Sequence, residues 1–102
     1  MEAESCASKL RVLGDRTRLS VLERLMERPL SVGQLTAALH VEQSLMSHHL
    51  RVLRDAGLVE AQRDGRAVLY RLSARGSTEA GAIDLGCCTL SFEAEGSSRN
   101  QG

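Results

Sequence analysis

At 102 residues, with 42% apolar residues, one Phe, one Tyr and no Trp, the chain is sized for one domain whose modest core must be built from Leu, Val and Ala. The formal charge is zero but unevenly spread: residues 5–76 hold 12 Lys+Arg against 7 Asp+Glu (+5), residues 1–4 hold two Glu (−2), and residues 77–102 hold one Arg against four acids (−3). A basic middle leaves phosphate binding open, while the lack of an apolar run near about 18 residues excludes a membrane-spanning helix.

Taken in order, residues 4–13 place Cys6, Leu10 and Leu13 at i, i+4 and i+7, an amphipathic first helix ending near Gly14. Asp15 is a good N-cap for a second helix, whose stripe is Leu19, Leu22, Leu25 and Met26 and which Pro29 ends. Ser31 can cap a short third helix with Val32, Leu35 and Leu39 facing inward, and residues 40–42 form a tight connection.

Residues 43–56 then predict a two-faced helix. Met46, Leu50 and Leu53 share one stripe, while Ser44, Ser47, His48 and Arg51 share the opposite one. Hydroxyls, an imidazole and a guanidinium on one face suit base edges and phosphates. A short helix, a tight turn and a second helix with a polar outer face is a helix-turn-helix layout. His49 falls on the inner flank and reads as a hydrogen-bonded structural histidine; His40 reads as a surface residue at a helix end.

From Leu58 the period changes to two. Residues 58–63 and 66–72 flank Asp64-Gly65, a pair whose tolerance of positive φ signals a hairpin. Arg63 and Arg66 flank its tip, and Tyr70 alternates inward. The expected fold is mainly α with a β-hairpin wing, a winged helix-turn-helix. Residues 73–82 read as turn-like. Residues 83–93 combine a helical stripe (Ile83, Cys87, Leu90) with Gly86 and strand-favouring Cys, Thr and Phe, and lean towards an extended or irregular segment. The domain is expected to span residues 1–93, with a disordered Ser/Gly-rich tail over 94–102.

Three motifs in this order carry a family resemblance: Leu13-Gly-Asp-Arg-Thr-Arg-Leu19, Ser47-His-His-Leu-Arg-Val-Leu-Arg-Asp-Ala-Gly-Leu-Val59 and Asp64-Gly-Arg-Ala-Val-Leu-Tyr-Arg-Leu72. Over about residues 5–73 the chain resembles the ArsR/SmtB family of bacterial winged-helix repressors. The resemblance implies a homodimer on double-stranded operator DNA, released by metal ions, metalloids or thiol oxidation. It also implies that Gln43, Ser44, Ser47, His48 and Arg51 contact DNA from the helix, and Arg63 and Arg66 from the wing. An ordinary solvated helix face and solubilising arginines are the plainer alternatives.

The sequence departs from the family's pattern at its sensor sites. Where many members place a Cys-x-Cys pair, this chain has Ser31-Val32-Gly33-Gln34-Leu35, and its C-terminal region offers Asp84 but no His. What remains is Cys6, Cys87 and Cys88. Three cysteines, without a signal-peptide pattern and with a cytoplasmic location expected, argue against a disulfide framework. They are either small buried hydrophobes or soft ligands suited to a three-coordinate ion such as arsenite or antimonite, As(III) or Sb(III). A third reading joins Cys6 to Cys87 or Cys88 by a disulfide. No Gly-rich phosphate loop, HExxH, GxSxG or spaced carboxylate pair points to catalysis. A repressor with inert cysteines, and a winged-helix module docking another protein, remain open.

Overall fold

The computed structural model describes residues 2–73, 77–79 and 81–92, so the tail expected over 94–102 lies outside the described residues. Helix α1 covers Glu2–Val12 and α2 covers Arg16–Leu25. Asp15 caps α2 as expected, its carboxylate accepting from the Arg18 N–H at 3.1 Å. The second helix closes at Leu25 with Met26 as its cap, short of Pro29, which instead leads into a two-residue strand, β1 (Leu30–Ser31). Helix α3 (Val32–Leu39) starts with a full capping box: Gln34 N–H donates to Ser31 Oγ at 3.1 Å, and Ser31 N–H donates to Gln34 Oε1 at 2.9 Å. It ends at His40, which adopts the left-handed conformation (φ 58°) and is exposed, so that the chain turns sharply into α4 (Gln43–Asp55).

Strands β2 (Val59–Asp64) and β3 (Ala67–Leu72) form the expected hairpin. Its turn is displaced by one residue: Asp64 pairs with Ala67, so the two-residue loop is Gly65–Arg66. Gly65 has φ 65°, and Arg66 is not among the positive-φ residues. Positive φ at the first loop position alone is the pattern of a type II′ turn, which asks for glycine there. The other edge of β3 pairs with β1, giving the order β1-β3-β2.

The C-terminal region departs most from expectation. Residues 77–79 are strand β4 (Ser77–Glu79) rather than turn, followed by β5 (Ala82–Asp84) and β6 (Thr89–Ser91) in a small antiparallel sheet. The extended or irregular reading of residues 83–93 thus holds over the described 83–92, with strand at 83–84 and 89–91 and an irregular turn between them. Strands of three residues are too short for periodicity to reveal. Among the described residues one core forms: Val21, Leu22, Leu35, Met46, Leu50, Leu53 and Val59 from the body meet Ile83 of β5 and Leu85 just after it, and Tyr70 packs at its margin. Leu13 of the first stripe is buried, but Leu10 is 49% exposed, because no described element covers that side of α1.

Candidate functional site

Two separate constellations emerge, one on α4 and the wing, the other where α1 meets the C-terminal sheet. On α4, Met46, His49, Leu50 and Leu53 are buried, and Gln43, Ser44, Ser47, His48 and Arg51 are exposed. The two faces divide as the 3.6-residue period requires. The wing residues Arg63 and Arg66 are exposed and have no partner among the described residues, whereas Arg71, three strand pairs further from the tip than Arg63, is engaged with Glu60 at 3.3 Å. The seven residues expected to touch DNA therefore all present accessible side chains.

The start of α4 has an arrangement that periodicity could not reveal. Glu42 is its N-cap, accepting from the Leu45 N–H at 3.2 Å and from the Ser44 hydroxyl at 2.6 Å. The Ser44 hydroxyl, followed by the backbone donors of Ser44 and Leu45, holds the Glu42 carboxyl below the ordinary carboxylate range, so it is charged near neutrality. Ser44 thus spends its donor within the protein.

Behind the exposed face, Arg18 ties three helices together. Its guanidinium donates from Nε to His49 Nδ1 at 3.0 Å and from Nη1 to the Val12 carbonyl at 3.2 Å, while its own N–H holds the Asp15 cap. His49 is 6% exposed and, as an acceptor at Nδ1, must carry its proton on Nε2 when neutral. Burial pushes its pKa below the usual 6.5; Arg18 and His48 push it the same way, and only Asp15 opposes them. The Arg18 N–H in turn is the main reason Asp15 titrates below its ordinary range. The structural reading of His49 is correct; its partner, 31 residues away, carried no signal beyond the Asp-Arg-Thr-Arg motif itself.

The cysteines converge. A tight connection after β5 is closed by the Leu85 N–H on the Cys88 carbonyl (2.8 Å) and by the Gly86 N–H on Asp84 Oδ1 (2.8 Å), with Gly86 at φ 93°. That turn presents Cys87 and Cys88 to α1, where Lys9 Nζ donates to the Leu85 carbonyl at 2.7 Å. Cys6 and Cys87 are joined by a disulfide across 81 residues, with Cα atoms 5.6 Å apart, and the free, exposed Cys88 has its Sγ 3.7 Å from that of Cys6 and 3.8 Å from that of Cys87. All three sulfurs lie within 4.8 Å of one another. Three cysteines and the expected compartment argue against a disulfide framework; the one cross-link present is the Cys6–Cys87 pairing of the third sequence reading, and it forms because the turn delivers two thiols to a third. Among the described residues no helix is long and apolar enough to cross a membrane.

The profile of bacterial regulatory proteins of the arsR family matches residues 15–61. The transcriptional regulator NmtR of Mycobacterium tuberculosis is 46% identical over 70 residues, covering 69% of this chain and 58% of that protein. The structure of HlyU from Vibrio cholerae superposes with a TM-score of 0.67 at 35% identity, covering 71% of this chain and 78% of that one. The chain belongs to the ArsR family. It spans between 52% and 58% of the length of the curated NmtR and SmtB relatives it matches. A further ArsR-like neighbour, from Mycobacterium bovis, is described as a homodimeric winged helix-turn-helix DNA-binding domain; it is 28% identical, with a TM-score of 0.67, and the match covers 71% of this chain and 67% of that one. The ArsR profile takes in α2, α3, α4 and the start of the wing, and leaves all three cysteines outside it.

Proposed function

We propose that the chain is a homodimeric transcriptional repressor that grips operator DNA with α4 and the β2–β3 wing and is released by a thiophilic ion at Cys6, Cys87 and Cys88. The observation that carries the DNA half is the division of α4 into a fully buried apolar face and an exposed face bearing Ser47, His48 and Arg51, on an ArsR-family framework. In this reading α4 lies in the major groove. Arg51 holds a phosphate or a guanine edge, Gln43, Ser47 and His48 line the groove, and Arg63 and Arg66 meet the adjacent backbone. Ser44, whose hydroxyl proton is directed to Glu42, can still accept from water bridging to DNA.

Support for the sensing half is the meeting of three sulfurs, a donor set that suits arsenite or antimonite. Binding such an ion needs all three sulfurs as thiolates, so it competes with the Cys6–Cys87 disulfide. That disulfide favours a second reading, in which two-electron oxidation of the Cys6 and Cys87 thiols, with loss of two protons, is itself the signal. Either event fastens α1 to the C-terminal sheet, and would shift a dimer away from the spacing of about 34–36 Å that two successive grooves require.

A salt titration of duplex binding tests the DNA half. Affinity should fall steeply with salt as counterions are displaced from neutralised phosphates. The pair Ser47→Ala and Arg51→Ala should abolish sequence-specific binding with the fold intact. Negligible affinity at low salt would favour a protein-docking module, and full binding by the double variant would refute the assignment of α4.

A further inference from the structure

Leu45 stands 48% exposed in the first turn of α4, although the other leucines of that helix, Leu50 and Leu53, are fully buried. It lies on the rim of the polar face, one turn before the exposed His48. A leucine side chain offers no donor, acceptor or charge, so it can grip neither a phosphate nor the polar edge of a base. The one apolar group that the major groove displays is the C5-methyl of thymine. The same turn is poorly made for a phosphate: the Glu42 carboxylate caps it, with the Ser44 hydroxyl and the Leu45 N–H both directed to Oε1. In helix-turn-helix proteins the N-terminal residues of the second helix are those that reach base edges.

We infer that Leu45 is a specificity-determining residue that packs against the C5-methyl group of a thymine in each half-site. The inference rests on the DNA-binding reading proposed above. It assigns the start of α4 to base contact through an apolar surface, and leaves phosphate neutralisation to Arg51 and the wing arginines. A methyl taken out of water against Leu45 should change affinity roughly fourfold.

Replacing thymine by deoxyuridine deletes that methyl and nothing else. The probe is the tightest duplex that the full chain selects from a randomised pool, with each thymine exchanged for deoxyuridine in turn. The wild-type chain and Leu45→Ala are then compared by fluorescence anisotropy. One thymine, or a symmetry-related pair, should weaken wild-type binding roughly fourfold per methyl when exchanged. Leu45→Ala should bind the selected duplex more weakly than wild type, be indifferent to that exchange, and match wild type on random-sequence DNA. Salt-dependent duplex binding with no deoxyuridine effect, or an equal effect in Leu45→Ala, overturns the inference while leaving the DNA-binding reading standing. No duplex binding at all by the wild-type chain overturns both. Leu45 is exposed, so an unchanged melting temperature for Leu45→Ala would keep folding out of the comparison.

Discussion

In the helical body, α2, α3 and α4 each start from a side-chain cap and turn an apolar stripe at helical spacing toward the core, so local signals and the core agree. In the C-terminal sheet, three strands of three residues depend on contacts made far along the chain: Ile83 and Leu85 against the body's core, Lys9 on the Leu85 carbonyl and Cys6 bonded to Cys87. The body has many independent reasons to hold its shape. The sheet has few, and one of them is chemically reversible. A region held by a switchable contact can report a signal, whereas a region held by a packed core can present a fixed surface to DNA.

Core truncation should separate the two most sharply. Leu53→Ala, at a fully buried position on α4, should cost about 2–5 kcal/mol of global stability and lower the denaturant midpoint of every probe together. Ile83→Ala, in the thiol-reduced protein, should instead lower hydrogen-exchange protection in β5 and β6 while the slowest amides of α2 and α4 keep theirs. Equal loss in sheet and body would show that the two are one cooperative unit and not separately held regions.

A smaller effect comes from His49 on the buried side of α4. Its folded pKa lies below the usual 6.5, so the unfolded chain takes up the proton first as pH falls. The stability due to neutral His49 is therefore complete above about pH 6.5 and is lost as pH falls through the folded value. The melting temperature should drop as pH falls below about 6.5. His49→Gln, which keeps an acceptor for Arg18, should flatten that slope, and an undiminished slope would contradict the assignment. Asp15 and Glu42, both held below their ordinary values, bring their own losses only in more acidic solution.

Much of the body could be read from the residues because its determinants are local. Asp15, Ser31, the split stripes of α4 and the glycine at the hairpin tip each act within a few positions. The pairing of Leu30–Ser31 with β3 escaped because a two-residue strand has no period and its partner lies some 40 residues on. The turn was misplaced by one residue because Asp-Gly and Gly-Arg both supply a glycine, and only the pairing register distinguishes them. The bond from Arg18 to His49 and the meeting of Cys6 with Cys87 and Cys88 depend on the folded path of the chain. The sequence leaves the cysteines open between small hydrophobes, soft ligands and a disulfide, and only the turn around Gly86 explains how two of them reach α1.

The most direct test of a fixed DNA-gripping surface coupled to a switchable cysteine cluster is arsenite titration of the reduced protein bound to its selected duplex, followed by anisotropy. Arsenite is expected to lower duplex affinity by about 5- to 150-fold, the range for coupling of roughly 1–3 kcal/mol. The double variant Cys87→Ser and Cys88→Ser should bind the duplex as wild type does and ignore arsenite. An arsenite response that persists undiminished in that variant would contradict that coupling.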